Sequence, residues 1–427
     1  MSLSGKTRAW LWVPTAYFAE GGPFMAVSTV SAILFKSLGM EDRYVALWTS
    51  LMMLPWSIKP LWAPFVDMFR TKRQWILATQ LLMALLFTAM AGLIVSESLS
   101  LILIGVFFLL AFASATHDVA VDGFDRIALD KHEQAFFAGI RGTFYRIASV
   151  SVQGGLVTLA GVVEHLHGSL RSGWALSLLC AAVAMGGVFL WHTLALPRPA
   201  GDCAATRQGG GLSEFLESFL SFFRMKGIIW ILLFLFLFRL AEAQLGKIAA
   251  LFLQSSREQG GLGLSLEAIG TLYGTVGPIA LIAGGILGGV LVASRGFAKC
   301  IWPLVCAINL PDIVYVYLAV ERPASLWAVG SCIAVEQFGY GLGYTAVLLV
   351  MVALAERSGK FKTSHFAIMT GVTILGMMLI GGVSGYMAES LGYTGFFWYV
   401  MVCTIPSFLV TIPIVKLIPA EFGSKSN

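Results

Sequence analysis

Charge is what this sequence has least of. Only 12% of its 427 residues are Asp, Glu, Lys or Arg, about half the share that a water-soluble domain carries. That scarcity excludes a soluble globular protein, because too little of the surface could face water. Paired cysteines are missing as well. The six cysteines form no CxxC pair and all but Cys203 lie in apolar runs, which excludes a disulfide or zinc framework and leaves them as small buried hydrophobes. There is no long polar segment: the most extended one is the interval 196–227, too short for a catalytic or signalling domain. A small-residue cleavage site is absent too. Lys6 and Arg8 precede an apolar stretch longer than a signal-peptide core, so the first helix is expected to be retained.

Apolar sequence is what remains. Hydrophobic residues make up 58% of the chain and mean hydropathy is +0.83. The apolar runs reach the roughly 20 residues needed to cross a bilayer. Twelve spans are predicted, at 10–34, 44–66, 75–95, 99–122, 138–163, 173–195, 228–252, 266–292, 299–319, 326–352, 365–388 and 394–417. The polar interval divides them six and six. The expected organisation is therefore an all-α integral membrane protein with a six-helix bundle over 1–195, a linker over 196–227 and a second six-helix bundle over 228–427.

The net charge of +5 is explained by where the charges fall, with no nucleic-acid partner. With both termini on the cytoplasmic side, 18 Lys and Arg lie in cytoplasmic segments and only Lys36, Arg43, Arg171, Arg257 and Arg322 lie outside. That asymmetry is the positive-inside pattern. Glycines cluster within spans, as in Gly284-Gly285 with Gly288-Gly289 and in Gly381-Gly382 with Gly385. Small residues three or four apart let helices in lipid approach closely; the alternative is smooth faces along which bundles slide.

Ionisable groups at bilayer depth are costly and need a partner or water, and this chain has many. The first span carries Glu20 ahead of Gly21-Gly22-Pro23, a run expected to kink or unwind the helix. Lys59 stands in the second span, His117, Asp118 and Asp122 in the fourth, and Arg141, Tyr145 and Arg146 in the fifth. Arg239, Glu242, Gln244 and Lys247 lie in the seventh, Asp312 in the ninth, and Glu336 and Gln337 in the tenth. The third, sixth and twelfth spans hold almost no charge and are the expected lipid-facing set. The bland reading is ion pairs that lock helices together. For the whole set a solvated solute path fits better, since structural glue is built more cheaply from apolar packing. Lys59, Arg141, Arg146, Arg239 and Lys247, with Tyr145, Glu336 and Gln337, are the candidate binding groups for an anionic solute. Glu20, Asp118, Glu242 and, more weakly, His117 are the candidates for proton coupling. No cofactor is implied, and no metal-ligand spacing is present.

Two patterns carry a resemblance. The segment from Ala63 through Asp67 to Arg70, Lys72 and Arg73 is similar to the signature loop of the major facilitator superfamily, with Ala63 in place of the usual Gly and Met68 in place of an Arg. Asp67, Arg70, Lys72 and Arg73 are the candidate gating-loop residues. Longer motifs occur in order: Tyr17-Phe-Ala-Glu20-Gly-Gly-Pro23, Leu54-Pro-Trp-Ser-Ile-Lys59-Pro, Thr116-His117-Asp118-Val-Ala-Val-Asp122-Gly and Gly139-Ile-Arg141-Gly-Thr-Phe-Tyr145-Arg146. Together they resemble the AmpG-type muropeptide permeases and acetyl-CoA transporters of that superfamily. The match is strong over 14–150 and extends to layout alone in the second half.

The resemblance implies the major facilitator fold, a permease that works as a monomer in the bacterial inner membrane, and proton-driven import of cell-wall anhydro-sugar peptides by rocking of two bundles. Members of the muropeptide branch often carry two spans beyond the twelve counted here. Siderophore importers of the superfamily look similar and form the alternative. A membrane-embedded transferase using His117 and Asp118 is disfavoured, because adjacent helical residues point about 100° apart.

Overall fold

The computed structural model describes residues 9–96, 101–202 and 211–418, and every regular element among them is helical. Helix α1 spans Val13–Ser37, α3 Lys72–Val95, α4 Leu101–Ala128, α6 Leu170–Ala195, α7 Ile228–Gln254, α8 Leu266–Arg295, α9 Phe297–Glu321 and α10 Leu326–Glu356. Helix α5 runs from Lys131 to His167 through a π-helical turn at Ser151–Leu156. The remaining apolar stretch, Lys362–Val415, is 54 residues long. Gly392, with φ of 65°, divides it into α11 (362–391) and α12 (393–415), a backbone turn that glycine makes without strain.

The second span is broken into Asp42–Leu51, Leu54–Ser57 and Lys59–Met68, together α2. Pro55 and Pro60 explain the breaks: each occupies the second position of its segment, where a missing N–H costs nothing. With α2 counted and the last stretch divided, the described chain has the twelve spans expected. A linker helix, Gly211–Phe223, precedes α7.

Two compact units emerge. The first comprises Met1–Leu38 and Ile58–Gly209, and the second comprises Gly39–Ser57 and Gly210–Asn427. The first two pieces of α2 thus pack with the second unit. There Gly385 of α11 lies where an added Cβ would come within 2.5 Å of Arg43 Cα, and Ser57 Oγ donates to the Gly371 carbonyl at 3.1 Å.

Helix association in lipid rests on close packing, since lipid tails are as apolar as leucine. An added Cβ on Gly284 would meet the Phe338 carbonyl oxygen at 2.0 Å, and one on Gly341 would meet that of Leu281 at 2.0 Å. Gly284 and Gly288 of α8 therefore serve tight packing against α10, whereas Gly289 faces open space. In the first unit, Gly21 brings α1 against the Tyr145 carbonyl of α5, 2.7 Å from the Cβ position.

Of the kink or unwinding expected at Gly21-Gly22-Pro23, the unwinding is absent from α1. The helix continues through Pro23, and a π-helical turn over Ala26–Val30 follows. That wider turn absorbs the mismatch left by the missing proline donor.

Candidate functional site

In the first unit, α4 presents Asp118, Asp122 and Asp125 at spacings of four and three, so all three share a face. Lys59, at the start of the last piece of α2, reaches Asp118 at 3.5 Å and Asp122 at 4.0 Å. Arg141 of α5 pairs with Asp125 at 2.6 Å and donates to the Gln134 carbonyl at 2.8 Å. Tyr17 of α1 donates to Asp122 at 3.3 Å, and its ring lies 5.7 Å from the Arg141 guanidinium. These groups join four helices into one polar cluster. Glu20, one turn beyond Tyr17, holds a buried Oε2 with no hydrogen-bond partner.

Lys59 and Arg141 are thus engaged by carboxylates. Tyr145 stands near Phe24, ring centroids 6.3 Å apart. Arg146 is exposed and enters no ion pair among the described residues. The structure separates His117 from Asp118. His117 is fully buried, and its Nε2 lies 3.0 Å from the Gln80 amide nitrogen. The same nitrogen lies 2.8 Å from His192 Nδ1, and His192 Nε2 lies 2.8 Å from Thr15 Oγ1.

Gln80 donating twice, and His192 donating to Thr15, fit with both imidazoles neutral, which leaves the Nδ1–H of His117 without a partner among the described residues. Helices α3 and α6, expected to contribute only to the lipid face, supply Gln80 and His192. Neutral polar residues in an apolar run leave little trace in a search for charge, which is why they escaped the sequence reading.

The gating-loop candidates tie the start of α3. Arg73 donates to the Thr193 carbonyl at 2.6 Å, at the end of α6. Lys72 is buried, and its methylenes pack where Gly123 lacks a side chain. Arg70 is exposed with a left-handed φ of 67°. The side chain of Asp67 lies outside the described residues. Asp202 caps α3, accepting from the Lys72 N–H at 2.7 Å and the Arg73 N–H at 3.0 Å. A carboxylate at a helix N-terminus is favoured by the helix dipole.

In the second unit, α7 is interrupted between Leu237 and Leu240, and Arg239 sits at the break. Buried there, it lies 5.3 Å from the Tyr340 ring and 5.0 Å from the Tyr344 ring, and it donates to the Tyr340 hydroxyl. Lys247, two turns on and half-buried, meets only the carbonyl and hydroxyl oxygens of Thr49, at 3.2 and 3.4 Å. No carboxylate pairs with it among the described residues. Glu242, Asp312 and Glu336 are buried together, with one oxygen from each lying within 4.8 Å of the others. The Gln337 amide contacts both Glu336 oxygens, at 3.2 and 3.0 Å. Periodicity shows neighbours along one helix, and this cluster draws on three.

Residues 22–135 match the model of the BT1 family. The chain is 24% identical to the putative transporter AmpG 4 of Rickettsia conorii, over 92% of each chain. It is 23% identical to the anhydromuropeptide permease of Escherichia coli K12, over 92% of this chain and 75% of that protein. A crystal structure of the nucleoside transporter NupG superposes with a TM-score of 0.70 at 13% identity, covering 97% of this chain and 99% of that one.

The fold is that of solved major facilitator transporters, with ten helices long and apolar enough to cross a membrane among the described residues, and the chain-long similarity is to a putative transporter and a permease. The chain resembles the AmpG-type transporters along most of its length, in keeping with its motifs.

Proposed function

We propose that this permease is a proton-coupled importer of a polar anionic solute of muropeptide type. It would work as a monomer by alternating access in a bacterial inner membrane, with both termini cytoplasmic. The observation that carries the anionic part is Lys247, a membrane-depth ammonium whose only described partners are neutral oxygens. Such a cation calls for an anion, and a solute carboxylate supplies it. Arg239, beside two tyrosine rings of α10, is a second donor able to grip a planar anion in bidentate fashion. Lys59 and Arg141 are already paired, so their part is to hold the aspartates of α4 in place.

Glu20 supports the proton-coupling part. Its buried oxygen has no donor, so binding a proton removes a charge that the surroundings do not compensate. Asp118 and Asp122 would respond through their shared Lys59. A ligand shifts the alternating-access equilibrium only by its difference in affinity between states, and a charge exposed to water in one state alone provides such a difference.

The test is uptake of an anhydromuropeptide into proteoliposomes under an imposed pH gradient. Lys247→Ala should raise KM at least tenfold while the protein still inserts. Glu20→Gln should abolish the response to the gradient while exchange of solute for solute persists. Full gradient-driven uptake by both variants would refute these roles.

A further inference from the structure

The acidic trio of the second unit is unused by the mechanism above. Glu242 comes from α7, Asp312 from a 3₁₀ turn within α9, and Glu336 from α10. All three are at least nine-tenths buried, with relative exposures of 7%, 2% and 2%. Their carboxylate oxygens approach within 4.8 Å of one another, while Glu242 Oε2 and Asp312 Oδ2 have no hydrogen-bond partner. Arg239, three residues before Glu242 on α7, is engaged by the Tyr340 hydroxyl. An independent group points the same way. Tyr315, one helical turn beyond Asp312 and wholly buried, carries a hydroxyl with no hydrogen-bond partner.

We propose that Glu242, Asp312, Glu336 and Tyr315 form a binding site for a hard metal cation held by oxygen ligands. Hard cations take carboxylate and neutral oxygen donors, with calcium-to-oxygen distances of roughly 2.3–2.6 Å. Oxygens on opposite sides of such an ion stand at most roughly 4.6–5.2 Å apart, a span that admits the observed cluster. Sodium is close to calcium in radius and shares its preference for oxygen. The charge count favours a bound cation of either kind, since three carboxylates face one arginine. The three ligand helices meet only in the folded bundle, so occupancy would brace α7 against α9 and α10.

The experiment uses the full chain, purified in detergent and stripped with a chelator. Equilibrium dialysis with radioactive calcium and, separately, radioactive sodium measures binding without any transport step, so its outcome stands apart from the reading of Lys247 and Glu20. One of the two ions should saturate at one per chain. Glu242→Gln and Asp312→Asn should each weaken that ion at least tenfold, and Tyr315→Phe several-fold. The exposed acid Glu321, changed to Gln, should leave binding unchanged. Absence of saturable binding for both ions overturns the proposal, as does equal binding by the Glu242→Gln/Asp312→Asn double variant. If the carboxylate variants fail to fold, the wild-type chain decides. Calcium or sodium must raise its melting temperature above the value in choline chloride of equal ionic strength, and no rise overturns the site.

Discussion

At the residue scale, the membrane-depth charges differ in how they are answered. Lys59 sits 3.5 Å from Asp118 with 28% of its side chain exposed. Removing one partner of a buried pair leaves an uncompensated charge, whereas removing both can be nearly neutral. Lys59→Met should therefore destabilise the protein by about 1–2 kcal/mol, less than for a fully buried pair. The Lys59→Met/Asp118→Asn double variant should recover most of that loss. Thermal unfolding in detergent measures both, and a double variant less stable than the single would show that the pair does not act as a unit. The Gln80 chain makes a second case. Interhelical hydrogen bonds in membranes contribute about 0.6 kcal/mol on average, and Gln80 bridges His117 and His192 at once. Gln80→Leu should cost about 1 kcal/mol and be measurable by the same unfolding.

At the scale of elements, spacing decides what a small residue is for. Gly284→Ala would place a methyl 2.0 Å from the Phe338 carbonyl oxygen, where only backbone movement could make room, whereas nothing lies within 4 Å of the same position on Gly289. The first change should cost about 1–3 kcal/mol by overpacking. The second should be neutral or slightly stabilising through helix propensity. Equal melting temperatures for the two variants would mean that α8 and α10 do not pack in this way.

Elements were also where the sequence was most readable. Hydropathy located the spans to within about seven residues, and the motifs of α1, α2, α4 and α5 named the polar cluster of the first unit except Asp125, because its members are ionisable or aromatic groups that stand out in apolar runs. What it missed depends on long-range geometry. Asp202 capping α3, His192 meeting Gln80 across 112 positions and the convergence of Glu242, Asp312 and Glu336 all arise from which helices become neighbours. Helical periodicity carries no information on that. The breaks in α2 were legible in principle, since Pro55 and Pro60 mark them, but a hydropathy window averages over such punctuation.

At the scale of the whole molecule, the distribution of basic residues predicts an orientation that hydropathy alone leaves open. Lysines and arginines in segments near membrane crossings resist translocation, so the side that holds more of them stays in the cytoplasm. Here the two sides differ by 18 to 5, and the surplus lies in many segments: the α2–α3 turn, the linker, the α8–α9 turn and the α10–α11 turn all contribute. Because no single loop dominates, the preference should survive the loss of any one of them. Alkaline phosphatase, active only outside the cytoplasm, reports this directly. Fusions after Gly168, Arg257 and Arg322 should be active and fusions after Arg126, Lys226 and Arg357 inactive. Replacing Arg70, Lys72 and Arg73 together by Ser should leave that pattern intact, since the linker and the later turns still carry most of the surplus. The reverse pattern in the unmodified chain would place Lys247 and Glu20 in a protein facing the other way, and import would have to be reargued as export.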